Sequence, residues 1–298
     1  MKKENEQRRL NGRRRWLIHC GASVSIVLSC VAGVSFPALA ETNQASFGIR
    51  SVTGRVTYSG PPEEEQFIFS KYANSRYCRE GTPPELVDGG FRVMKTIEVG
   101  AQRGLKGAIV AVTDLLDLRF MAEYPGTDVV VENCTFFPFT GVIVKRRSLR
   151  LENKDADAQD PKYAKGLWHQ GHAFEVAGPV SITIFNSVLT EKGSQLDRAV
   201  TLRRTDHELY VRLESCFHGW AKAFFLPVTN PYYAKVADDG SFEIKGVPPG
   251  RHRIVAWHPF AGRAEADIVV DEMGSAQVNF DLQKKKEESP TLRVAAPF

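Results

Sequence analysis

Residues 210–258 read YVRLESCFHGWAKAFFLPVTNPYYAKVADDGSFEIKGVPPGRHRIVAWH, and their pattern changes character along the way. Leu209, Val211 and Leu213 fall on one side of the opening run, with Tyr210, Arg212 and Glu214 on the other. That is the period of a half-buried strand. The run leads into Cys216, His218 and Trp220, residue types that bind soft metals or stack. Asp238-Asp239-Gly240 then marks a turn, and Phe242 and Ile244 alternate again. Pro248-Pro249-Gly250 turns once more, and residues 251–257 read as a return strand. The expectation is a hairpin placed behind a candidate metal loop.

Five pieces of this stretch carry a resemblance: His218-Gly219-Trp220, Asn230-Pro231-Tyr232-Tyr233-Ala234, Asp239-Gly240-Ser241-Phe242, Val247-Pro248-Pro249-Gly250 and Trp257-His258. Together they resemble a family of bacterial periplasmic plastocyanin-like proteins, in which a cysteine-histidine-tryptophan-methionine loop precedes such a tail. The resemblance implies a cupredoxin-like sandwich and copper as the candidate cofactor. A blue-copper site takes one histidine from an early strand and a cysteine, a histidine and a weak methionine from one late loop. The family's early pair, histidine-asparagine-x-histidine after an asparagine-x-aspartate turn, is matched by Asn153-Lys154-Asp155. His169-Gln170-Gly171-His172 follows, displaced by an insertion of about ten residues, and then Phe174-Glu175-Val176.

The late loop departs from the pattern. Ser215 stands where the family has its copper cysteine, and the strand phase agrees, because Leu209, Val211, Leu213 and Ser215 share a face. Cys216 falls on the opposite face unless a bulge intervenes. Ala221 stands in place of the weak methionine, and Phe139 in place of a further histidine. Two readings follow: copper held by His169 or His172 with Cys216 and His218, or a sandwich that kept its fold and lost the metal. The family also has a cysteine at the places of Cys78 and Cys134, both in irregular segments flanking strands. That implies a Cys78–Cys134 disulfide and leaves Cys216 for another use.

The first forty residues are set aside as a signal peptide. Lys2, Lys3, Arg8, Arg9 and Arg13 to Arg15 form a basic start, residues 16–36 an apolar run, and Ala38-Leu39-Ala40 a cleavage site. His19, Gly21 and several serines make the run a poor membrane span. Arg13-Arg14-Arg15-Trp16-Leu17 leaves open twin-arginine export of a folded protein beside ordinary secretion. Either way the expected location is periplasmic or secreted, with no transmembrane span after cleavage. Seven of the 39 Lys and Arg and two of the 35 Asp and Glu lie before Glu41, so the remainder carries 32 against 33. A formal −1 gives no reason to expect a nucleic-acid partner.

Residues 49–58 (IRSVTGRVTY) and 105–112 (LKGAIVAV) read as strands and look like the opening of a carboxypeptidase regulatory-like domain, a small transthyretin-type sandwich. Its usual closing hairpin arrives only at residues 239–252. The expected organisation is therefore all-β: a regulatory-like sandwich at 47–128 and 229–282, a cupredoxin-like domain at 129–228 inserted into it, and a tail at 283–298. Insertion is allowed because the ends of an inserted domain usually lie close together. Residues 72–90 and 153–165 read as loops, and residues 181–185 as a β-rich run.

No Gly-rich phosphate loop or nucleophile elbow is present, so no enzyme is expected. Partner binding or electron-transfer support in the periplasm fits a degenerate site. A copper-binding electron carrier is the first alternative. A carbohydrate-binding module is the second, with Trp168, Trp220, Tyr232 and Tyr233 as stacking faces.

Overall fold

Along the strand Ser148–Asn153, Leu149, Leu151 and Asn153 are buried while the residues between them are half-exposed. The same period-two pattern governs His169–Ala177 and Tyr210–Glu214, as a sheet with one face on a core requires. The computed structural model describes residues 50–204, 208–272 and 274–284. The expected signal peptide and almost all of the expected tail lie outside them. The chain divides into units of residues 1–45 and 46–298, and the second contains all that follows. Its architecture is an all-β set of sandwiched sheets.

One pair of sheets is built from both ends of the described chain. In the first, Ser51–Tyr58 lies between Ser241–Lys245 and Ala276–Gln277, and also pairs with Phe280–Leu282. In the second, the order is Tyr233–Lys235, Ile109–Val112, Gly250–His258 and Gly262–Val270. Val52, Val56, Val110, Val112, Phe242, Ile244, Ile254 and Ala256 fill the space these sheets share.

The chain between Val112 and Tyr233 makes another pair. A five-stranded sheet runs Val180–Leu189, His169–Ala177, Tyr210–Glu214, Lys222–Pro227, Thr140–Ile143. A four-stranded sheet runs Gln195–Ala199, Ser148–Asn153, Thr127–Glu132, Thr135–Phe137. Val129, Val131, Leu149, Leu151, Ala173, Val211, Leu213 and Phe225 form their core. Gly171 is needed there: a Cβ on it would lie 2.8 Å from Cδ2 of Leu151 across the core. A separate apolar seam, with Ile109, Ala111, Val255 and Trp257 from one sheet pair and Val142, Phe224 and Leu226 from the other, joins the two pairs.

Some local expectations need correction. The strand expected over 105–112 forms only at Ile109–Val112, because Gly107 takes φ +75° and Leu105 instead bridges to Val99. The irregular 72–90 segment holds a short helix, Ser75–Glu80, which carries Cys78. A small sheet of Glu63–Ile68, Phe91–Ile97 and Val87–Asp88, unforeseen in the charged EEEQFI stretch, flanks that helix. Among the described residues no helix is long and apolar enough to cross a membrane.

Candidate functional site

His169 is the first residue of its strand and points into the core, with no exposure. His172 lies three residues on, so the pleat turns it to the other face. There its Nε2 meets Thr183 Oγ1 at 3.1 Å and its ring approaches Phe174 at 3.9 Å between centroids. Two adjacent-looking histidines therefore serve opposite faces of one sheet.

The strand Tyr210–Glu214 keeps an unbroken register with its neighbour through His172↔Glu214. No bulge intervenes before Ser215, so Ser215 is buried and Cys216 is exposed. The backbone N–H of Cys216 donates to Oε1 of Gln170 at 2.9 Å, on the outer face. The loop then closes on itself: Ser215 N–H donates to Ala221 O at 3.1 Å, and Ala221 N–H to His218 O at 2.8 Å. This closure carries His218 inward to zero exposure, where its ring centroid stands 5.1 Å from that of His169. Of the four expected ligands, the fold brings His169 and His218 together and leaves His172 and Cys216 outside.

Asp155 orders the space beside them. Its carboxylate accepts the backbone N–H of Asn133 at 2.7 Å, the N–H of Cys134 at 2.9 Å and the Tyr77 hydroxyl at 3.1 Å. Oδ2 also lies 2.9 Å from Nε2 of His169, off the line of a hydrogen bond. Burial pushes the Asp155 pKa up, but the His169 contact and the two N–H donors outweigh it and hold the group below its ordinary value. Burial and the Asp155 charge in turn push the Tyr77 phenol up to about 12. Asn133 and Cys134 have φ of +51° and +59°, a conformation uncommon for non-glycine residues, and the Asp155 carboxylate holds both N–H groups in it.

The His218 Nε2 is 3.2 Å from Ala73 O, which makes it a donor, and its Nδ1 has no partner. Burial, then the neighbouring His169, push its pKa down to about 3, so the ring is neutral. His169 Nδ1 is likewise buried without a partner. Beneath the rings lies the Cys78–Cys134 disulfide, with Cα atoms 5.5 Å apart. The pairing that the family resemblance implied is present. Trp220 caps this cluster, donating from Nε1 to Cys134 O at 2.8 Å and meeting Tyr72, Phe69 and Phe67 edge-on at 4.9, 5.5 and 6.2 Å.

Trp220 is therefore 2% exposed and offers no stacking face. Tyr232 is partly buried against the outer core and Tyr233 against the seam, while Trp168 is 45% exposed, edge-on to Tyr163. The four aromatics do not share a surface. Asp155, Tyr77 and Ala73 were not among the expected site residues. Asp155 had a visible signal, the Asn-x-Asp turn ahead of the histidines, whereas Tyr77 and Ala73 had none.

A thiolate copper site does not fit these residues: Ser215 and Ala221 face inward where a thiolate and a thioether are needed, and Cys216 faces out. A two-imidazole site does fit, since both Nδ1 atoms are buried and unpartnered while each Nε2 has an oxygen beside it.

No protein-family model matches the chain, and no curated protein matches it. Solved structures with partial likeness include a copper-containing nitrite reductase from Thermus scotoductus SA-01, at 14% identity and a TM-score of 0.25 over 35% of this chain. A purple cupredoxin from Nitrosopumilus maritimus is similar at 12% identity and a TM-score of 0.24 over 34% of this chain and 99% of its own. The chain spans 23% of the nitrite reductase.

Proposed function

We propose that this is a non-enzymatic, exported accessory protein of an envelope or electron-transfer system. In this reading a cupredoxin-like sandwich, set within a regulatory-like one, kept two copper-type histidines and lost the thiolate. The observation that carries it is the inward phase of Ser215 against the outward phase of Cys216. An electron carrier of the blue-copper type needs a cysteine sulfur on the metal, because that ligand shapes its colour and potential. Without it, His169 and His218 would hold a copper ion by Nδ1 alone, and Asp155 and Ala73 O would orient the rings. Such an ion would supply weak binding rather than fast electron exchange. The glycan-binding alternative is less supported, since only Trp168 of its aromatics presents a largely exposed ring.

Copper(II) titration of the exported protein, wild type beside Cys216→Ser, tests this. Equal uptake by both, or none by either, is expected, with no intense thiolate-to-copper absorption. An intense visible band that Cys216→Ser abolishes would overturn the reading. Cross-linking in the periplasm should then recover a cytochrome or oxidase, whereas retention on immobilised polysaccharide would favour the glycan module.

A further inference from the structure

Beside the two-imidazole pair lies another donor set. The Sγ atoms of Cys78 and Cys134 and a ring nitrogen of His218 lie within 4.8 Å of one another, all three residues fully buried. Donors sharing one thiophilic ion at bond lengths of about 2.0–2.3 Å stand roughly 3.5–3.8 Å apart. The two sulfurs, about 2 Å apart while bonded, must therefore part by about 1.5 Å once the disulfide opens, and the imidazole nitrogen needs to close by no more than about 1 Å. Locked as a disulfide, the sulfurs are poor ligands; as thiolates they are the preferred ligands of zinc and monovalent copper. His218 Nδ1 is buried without a partner, and Nε2 bonds to Ala73 O in the segment just before the Cys78 helix. A cleft of about 860 Å³, lined by Phe69, Ser75, Arg76, Arg79 and Thr82, opens along that helix.

We propose that Cys78, Cys134 and His218 form a redox-gated site for a thiophilic d10 cation, closed as a disulfide and opened by reduction. The reductant is a dithiol. One of its thiolates attacks a protein sulfur, the Cys78–Cys134 bond breaks, and the other protein sulfur leaves as thiolate. The second thiolate of the reductant resolves the mixed disulfide and leaves oxidised, so two electrons and two protons pass to the protein. A divalent ion then displaces two protons from the two thiols and takes the His218 imidazole as a further ligand. This site does not require the two-histidine reading, because its sulfur ligands exist only in reduced protein.

The test uses the full exported protein, oxidised and after dithiol reduction, titrated with cobalt(II) as an optical stand-in for zinc. Reduced protein that keeps its far-ultraviolet β signal should bind one cobalt with a thiolate-to-cobalt band, and zinc should displace it. Oxidised protein should lack the band, Cys216→Ser should leave it intact, and His218→Ala should weaken binding by at least about tenfold while the disulfide still forms. Folded reduced protein without the band, a band lost in Cys216→Ser, or one unaffected by His218→Ala would overturn the proposal. So would unfolding on reduction that zinc does not reverse. Copper(II) uptake by oxidised protein reads the imidazole pair separately, so either idea can fail alone.

Discussion

His258 is 1% exposed, and its Nδ1 accepts the N–H groups of Phe260 and Ala261 at 3.3 and 3.1 Å. Nδ1 is thus the acceptor and the proton sits on Nε2, and burial pushes the pKa from 6.5 down to about 4. Between those values the unfolded chain binds the proton and the folded chain does not, so stability rises with pH. The contribution is fully present above about pH 6.5 and is lost as pH falls toward 4. Moving from pH 7 to pH 5 should cost about 2 kcal/mol through this residue. Urea midpoints at the two pH values should show a loss to which His218, also pushed down, adds in the same direction, and His258→Gln should remove only the His258 share; an unchanged slope in the variant would refute the assignment. Asp155 gives a second test at this scale. Asp155→Ala strands the N–H groups of Asn133 and Cys134 and the Tyr77 hydroxyl. A loss of about 3 kcal/mol is expected in urea unfolding, with a smaller loss for Asp155→Asn, which keeps one acceptor oxygen. A loss under about half a kcal/mol would show that the carboxylate does not hold these groups in place.

At the scale of elements, the loop from Ser215 to Ala221 is fastened to the disulfide segment by Trp220. Trp220 touches three aromatic rings and bonds to Cys134 O. Trp220→Ala should destabilise by about 3–5 kcal/mol, while Trp220→Phe keeps most ring packing and should cost about 1–3 by stranding the carbonyl. Thermal unfolding of both variants measures the difference, and equal losses would assign the effect to the hydrogen bond alone. The disulfide spans 56 residues, for which loop closure predicts about 4 kcal/mol of stabilisation. A Cys78→Ser, Cys134→Ser double variant should show a loss of that order.

For the whole molecule, the seam decides cooperativity. Ile109, Ala111, Val255 and Trp257 pack against Val142, Phe224 and Leu226, so neither sheet pair can open without exposing apolar surface on the other. The two ends of the excursion also meet, with Tyr233–Lys235 pairing directly to Ile109–Val112. Calorimetry should therefore show a single transition for the unit of residues 46–298, with calorimetric and van't Hoff enthalpies in agreement. Two resolved transitions would mean that the seam is too weak to couple the halves.

Period-two alternation is a local property, and by itself it determined an all-β protein and the faces of many strands. It also placed Ser215 inward and Cys216 outward, which is where the structure has them. The Asn-x-Asp turn and the two cysteines were legible as well, through a family resemblance rather than through periodicity. What only the tertiary structure decided is non-local. His169 and His172 looked equivalent until a strand assigned them opposite faces. The Leu105 run looked continuous until Gly107 turned it. No periodic signal places Ala73, Cys78, Cys134, Asp155, His169 and His218 around one buried point. Their approach comes from folding segments up to 145 residues apart against each other, and pairwise proximity of that kind leaves no trace in a single sequence.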